Sequence, residues 1–496
     1  MPRYAPLWGI ATPHPATPGA PGVHVTSTTK VQPSDGNTPR PDHLRHVIYI
    51  TTAAAMGGFL FGYDSSVING AVQGIRGRYD IGSLPLAQVV AVALLGSAIG
   101  AATAGRIADR IGRLHCMRIS SVLFTVSAVG SALPFDIYDL AVWRVIGGFA
   151  IGMASVIGPA YIAEVSPAAY RGRFGSFQQG AIVLGIAISQ LVNYGILQLA
   201  DGDQRGNLAG LEAWQWMLGV MVVPAITYGV LSFTIPESPR FLISVGREPE
   251  AKKVLASVED KNVDLDARVA EIELAMRREH KSTFKDLLNG RNFLPIVWVG
   301  IGLSAFQQLV GINVAFYYSA TLWQSVGINP SSSFLYSFTT SIVNIIGTII
   351  AISLVDRVGR KPLAIVGSCG MTVALAFEAW AFSAHLVDGK LPSTQGTTAL
   401  VAAHVFVLFF ALSWGVIVWV LLGEMFPNKI RAAALGVAAS AQWIANYAIT
   451  ASFPSLSADW SLSGTYIIYT CFAALSLPFV LLFVKETKGK TLEEMG

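Results

Sequence analysis

Residues 86–108 read LAQVVAVALLGSAIGAATAGRIA, and Asp109-Arg110-Ile111-Gly112-Arg113 follows at once. A hydrocarbon core about 30 Å thick is crossed by about 20 helical residues. This run is long enough, and its one ionisable residue, Arg106, lies at its end. It reads as a transmembrane helix stopped by a charged turn. The same punctuation, Asp356-Arg357-Val358-Gly359-Arg360, follows another apolar run 247 residues later. The chain therefore reads as two related halves.

Working outward from these two runs, twelve apolar stretches emerge. The first six lie near 47–70, 86–108, 114–134, 137–163, 174–199 and 213–235. The second six lie near 293–324, 332–355, 362–385, 399–424, 431–454 and 462–484. The expected fold class is an all-α membrane protein of two pseudo-symmetric six-helix bundles, 47–235 and 293–484. Composition agrees: 53% of the 496 residues are hydrophobic and 13% charged, against about 25% charged in soluble domains. The segment 236–292 reads as a charged helical loop, with amphipathic stretches at Glu248–Val258 and Asp266–Glu279. Residues 1–46 hold nine of the 24 prolines and read as a disordered tail, and 485–496 as a second short tail.

Lys and Arg set the orientation. The segments on the side of both termini hold 29 of them and the opposite loops hold 4. By the positive-inside rule both ends are cytoplasmic, in the cell membrane. A net charge of +4 gives no reason to expect nucleic acid. Cys116, Cys369 and Cys471 are scattered and carry no metal or disulfide spacing. No nucleophile, base and cofactor constellation appears, so no enzyme and no cofactor are expected.

Further charged sets repeat between the halves. Glu164 and Arg171 follow the fourth span, and Glu424 and Arg431 follow the tenth, seven apart in each case. Glu237 and Arg240 follow the sixth span, and Glu486 follows the twelfth. With Asp109, Arg110, Arg113, Asp356, Arg357 and Arg360, these are candidates for a cytoplasmic gate between rocking halves. The alternative is charge that only sets topology.

Among the ionisable residues within spans, two form a candidate pair. Asp64 lies in Phe61-Gly62-Tyr63-Asp64 and Arg144 in Trp143-Arg144-Val145. Charges at membrane depth are costly and mark function. A pair of them can take up or release a proton if the environment changes between states; a purely structural ion pair is the alternative. Amides gather in the second half at Gln307, Gln308, Asn313, Asn344, Gln442 and Asn446, with Gln179 in the first. Amides donate and accept without charge, which suits a neutral polyhydroxylated ligand. Trp419 and Trp443 offer flat surface for a sugar ring. Asp64, read as the lone membrane carboxylate, and the lone His404 make no metal site.

These residues resemble the sugar porter family of the major facilitator superfamily, and within it the actinobacterial glucose permeases. The resemblance rests on Gly62-Tyr63-Asp64, Asp109-Arg110-Ile111-Gly112-Arg113, Pro236-Glu237-Ser238-Pro239-Arg240, Gln307-Gln308-Leu309-Val310-Gly311-Ile312-Asn313 and Glu486-Thr487-Lys488-Gly489. It covers about residues 47–496. It implies a monosaccharide site at Gln179, Gln307, Gln308, Asn313, Asn344, Trp419, Gln442 and Asn446, and a proton-coupling pair at Asp64 and Arg144. It thus implies hexose import with a proton, glucose above other hexoses, by a monomer in the lipid bilayer. A facilitative uniporter and a transporter-like sensor are the alternatives. The tenth span departs from the family by lacking proline at Val416 and Val418, so bending there is expected to differ.

Overall fold

A computed structural model describes residues 41–167, 171–259, 263–278, 283–290, 292–427 and 429–488. The expected tail, 1–46, lies outside the described residues up to 40; from Pro41 the chain is already the first helix, Pro41–Tyr79. Pro suits the first turn of a helix, where its missing N–H has no partner to lose.

The fold is the expected all-α membrane architecture. Eleven helical stretches are long and apolar enough to cross a bilayer. The remaining span, the eleventh in chain order, is the 25-residue helix Arg431–Ser455, whose apolar run is interrupted by Ser440, Gln442, Asn446 and Thr450. A two-residue hairpin precedes the sixth span and another the seventh. The central loop folds into Pro239–Ser244, Glu248–Val258 and Leu265–Arg278. These helices bury Leu242, Ile243, Ala251, Val254, Leu255 and Val269 together.

Small residues set how closely the spans approach. A Cβ on Gly148 would stand 1.9 Å from the Ala93 carbonyl oxygen, and one on Gly96 would stand 2.3 Å from that of Val145. Spans two and four are thus in backbone contact. Gly62 against Ile182 and Gly185 against Phe59 do the same for spans one and five.

Three spans expected as continuous are interrupted, the sixth briefly between Ala213–Gly219 and Val222–Leu231. The seventh runs Pro295–Leu309, Val314–Tyr317 and Ser319–Ser325. The break falls at Gly311, whose φ of 84° is open to glycine at little cost. The tenth runs Ser393–Ala411 and Trp414–Met425. It breaks at Ser413 without any proline, and the Ser413 hydroxyl donates back to the Phe409 carbonyl.

The repeated charges form one arrangement twice, at one end of the molecule. In the first half Arg113 donates from Nε and Nη2 to both oxygens of Glu164, each at 3.0 Å. Glu237 accepts from the backbone N–H of Arg113 and Leu114 at 3.1 and 3.2 Å. In the second half Arg360 grips Glu424 at 3.1 and 2.8 Å. Glu486 accepts from the backbone N–H of Arg360 and Lys361 at 3.1 and 2.9 Å. Ser238 and Thr487 donate equivalently to Glu164 and Glu424. Each carboxylate of the second kind sits on a helix N-terminus, where the dipole favours negative charge. Gly112 and Gly359 make room: a Cβ there would stand 2.4 and 2.8 Å from the Glu237 and Glu486 oxygens.

The remaining expected gate residues are placed differently. Asp109 reaches Arg113 at 3.3 Å but its side chain is 73% exposed. Arg110 and Arg357 are exposed. Arg431 donates to the Phe426 carbonyl, not to Glu424. Arg240 sits in Pro239–Ser244. The side chains of Arg171 and Asp356 lie outside the described set.

Burial alone would raise the Glu486 carboxyl, but its four backbone N–H donors outweigh this and hold its pKa below the ordinary value. A depressed carboxylate pKa contributes stability above the unfolded value, and that stability is lost as pH falls through the folded one. The thermal midpoint of the purified protein should therefore drop as pH falls below about 4, and Glu486→Gln should flatten part of that drop. Separately, Gly148→Ala should lower the midpoint by the cost of overpacking, about 1–3 kcal/mol. Gly105→Ala, where a Cβ meets nothing within 4 Å, should leave it unchanged.

Candidate functional site

Asp64 and Arg144 meet in the first half. Arg144 Nη1 donates to Asp64 Oδ1 at 2.9 Å, and the two side chains are 2% and 3% exposed. Asp64 Oδ2 and Arg144 Nε have no partner. Gly147 leaves space beside the free oxygen: a Cβ there would stand 3.3 Å from Oδ2. Asp64 therefore has one oxygen engaged by a cation and one available to a proton.

The amides of the broken seventh span form a relay. Gln307 donates to the Trp414 carbonyl at 2.9 Å, at the break of the tenth span. Gln308 donates to Gln307 Oε1 at 3.2 Å, and Asn313 donates to Gln308 Oε1. Asn446 is buried and accepts from Thr450 at 3.1 Å. Its neighbour one turn earlier, Gln442, keeps a buried Oε1 with no partner. Asn344 is buried in the eighth span and Gln179 half-buried in the fifth. Trp419 is 44% exposed, while Trp443 is buried against the Phe61 ring at 5.8 Å.

Tyr317 ties the charge pair to the amides. Its phenol lies near both Asn446 and Ser65, the residue after Asp64. One phenol in the second half thus touches the backbone neighbourhood of the buried carboxylate and the amide on the eleventh span. Tyr317 was not singled out in the sequence, because an apolar-looking aromatic in a span carries no mark of its partner.

The two halves also join at the end opposite the charged clusters. Asn69 donates to Gln190 Oε1 at 2.9 Å and to Ser337 Oγ at 3.3 Å, and accepts from the Ala320 N–H at 2.9 Å. Gln190 donates to the Phe316 carbonyl at 3.2 Å. Tyr447 donates to Gln88 and Gln198 to Ser331 across the same end. Asn69 and Gln190 are intramembrane amides of the type that marked Gln179. Only their neighbours distinguish a clasp from a ligand site.

One expectation is corrected. Asp64 is not the lone carboxylate within the spans: Glu378, in Arg360–Phe382, is buried at 1% exposure. It falls inside the expected ninth span, 362–385, where the reading of Asp64 as the lone membrane carboxylate passed it over.

Comparison with known proteins agrees with this geometry. The family model described as Sugar (and other) transporter matches residues 50–496. The chain is 50% identical over 470 residues to a glucose transport protein of Synechocystis sp., covering 94% of this chain and 100% of that one. It is 35% identical over 482 residues to the D-xylose-proton symporter of Escherichia coli, covering 91% and 95%. Among solved structures, the E. coli xylose transporter in a partially occluded inward-open conformation superposes with a TM-score of 0.78 at 33% identity, covering 90% and 100%. With two six-span halves around a polar centre and matches of this extent, the chain belongs to the sugar transporter family, the sugar porters of the major facilitator superfamily.

Proposed function

We propose that this sugar transporter imports a hexose, glucose above others, together with one proton, by alternating access. The observation that carries the proton is the buried Asp64–Arg144 pair with its one free carboxylate oxygen. The relatives support the same reading: one is named for glucose, and another is a proton symporter of a related sugar. The amides Gln307, Gln308, Asn313, Asn344, Gln442 and Asn446, with Gln179 and Trp419, hold the sugar. Gln442, whose buried oxygen has no protein partner, is suited to accept from a sugar hydroxyl.

The Lys and Arg distribution puts the charged clusters and both termini on the cytoplasmic side of the cell membrane. The end closed by Asn69, Gln190 and Tyr447 then faces outward, so this conformation is closed to the outside. The clusters around Arg113 and Arg360 keep each half rigid, and their rearrangement accompanies closure of the inner side. The working unit is a monomer.

The coupling step follows from charge. Protonation of Asp64 from outside removes half of the ion pair and frees Arg144. Through Ser65 and Tyr317 the change reaches Asn446, which contacts the sugar. Loaded halves rock, and sugar and proton leave on the inner side, where the pair re-forms. An uncompensated buried charge is costly, about 3–5 kcal/mol when one partner is removed, so the empty deprotonated carrier is held in the paired state.

Asp64→Asn carries the protonated shape permanently. In proteoliposomes with an inward proton gradient it should lose uphill sugar accumulation while retaining sugar exchange; undiminished accumulation sinks the proton reading and favours a uniporter. Sugar choice is read by competition against radiolabelled glucose uptake. Unlabelled glucose should compete more strongly than xylose, galactose or mannose, and a stronger effect of xylose overturns the hexose assignment.

A further inference from the structure

Glu378 has no role in the scheme above. It is 1% exposed, and its Oε1 has no hydrogen-bond partner. Among the described residues no cation forms an ion pair with it. The carboxyl lines a small enclosed cavity, and a space of this size holds about one water molecule.

The lining is mostly apolar and its polar groups are uncharged; one histidine, His404, lies behind Thr340. The twelfth span presents Tyr466 and Tyr469, and the Tyr469 hydroxyl also lacks a partner. The eighth span presents Thr340, whose hydroxyl lies 3.5 Å from His404 Nε2 on the tenth. The seventh span presents Ser319 and Trp323, neither of which titrates. An ionised carboxylate here lacks both bulk water and a counter-ion, a costly state that a carboxylic acid avoids by keeping its proton. The acid form also gains a donor that a water molecule or the Tyr469 oxygen can accept.

The opposite wall of the cavity is the broken seventh span. Gly311, at the break, and Ala315 line it with Ser319. A Cβ on Gly311 would stand 2.6 Å from the Tyr469 ring. The same segment carries Asn313, which donates to Gln308, and Tyr317, whose phenol lies near Asn446 and Ser65. This one short segment therefore touches both the sugar-site amides and the Glu378 cavity.

We propose that Glu378 is a second proton-binding site, separate from Asp64, which holds a proton while the broken seventh span covers its cavity and releases it when that segment lifts away. The site takes a proton and one water molecule. Its existence rests on the geometry of the cavity and on family membership, not on the role given to Asp64.

Infrared spectra of the purified protein test it directly. At neutral pH the wild type should show the carbonyl-stretch band of a buried carboxylic acid. The band should persist in Asp64→Asn and vanish in Glu378→Gln, which is isosteric with the acid. A wild type without the band, or a Glu378→Gln protein that keeps it, overturns the proposal. The wild-type spectrum alone can overturn it even if the variant fails to fold.

Sugar exchange gives the functional reading. With Asp64→Asn as the background, exchange should still slow at alkaline pH, by up to about tenfold per unit for a single required proton. Adding Glu378→Gln should abolish that alkaline fall. Exchange in the Asp64→Asn protein that is flat with pH overturns the coupling of the site to movement. Uphill accumulation by Asp64→Asn would count against Asp64 alone and would leave these readouts of Glu378 intact.

Discussion

Lipid offers no hydrogen bonds, so every backbone N–H and C=O within the membrane must find a protein partner. This constraint makes the chain helical and decides where it may stop being so. The breaks at Gly311 and Ser413 lie inside the protein, Gly311 against Tyr469 and Ser413 against Gly367. Gln307 donates to the Trp414 carbonyl just past the second break, and Ser413 satisfies the Phe409 carbonyl. Irregular backbone, polar side chains and the candidate sugar site coincide for one reason. Groups left without a helical partner can be satisfied only there, by amides or by a bound ligand.

The duplicated charge clusters show how the same physics works at the membrane edge. Each arginine binds a glutamate through a bidentate fork, the strongest geometry available to that pair. Each second glutamate closes a helix N-terminus with two backbone bonds. All these bonds stay within one half. The hydrogen bonds between the halves at the opposite end are neutral ones through Asn69, Gln190 and Tyr447, each worth about 1 kcal/mol. Rigid halves joined by weak, exchangeable contacts suit rocking motion.

The two buried carboxyls contrast. Asp64 has a cation at 2.9 Å, and Glu378 has none and faces only neutral groups. The halves are alike in fold and in their edge charges but unlike in their interior chemistry. Duplication supplies the frame, and the individual side chains that face the interior differentiate it.

Much was legible in the sequence. Length and hydropathy yield the spans, and the Asp-Arg-x-Gly-Arg repeat reveals two halves. These are local or summed properties, so order along the chain is sufficient to read them. The positions of Asp64 and Arg144 were equally plain, since a charge inside an apolar run stands out by itself. Partner choice was not legible. Glu424 takes Arg360, 64 residues away, and not Arg431, only seven away. Tyr317 stands near both Ser65 and Asn446, and Glu378 lines a cavity to which four other spans contribute. Helical periodicity tells which residues share a face, but not which face of which helix lies opposite. That is settled by packing, through glycines that admit neighbouring backbones at a few positions and by side chains that must be satisfied where no water reaches.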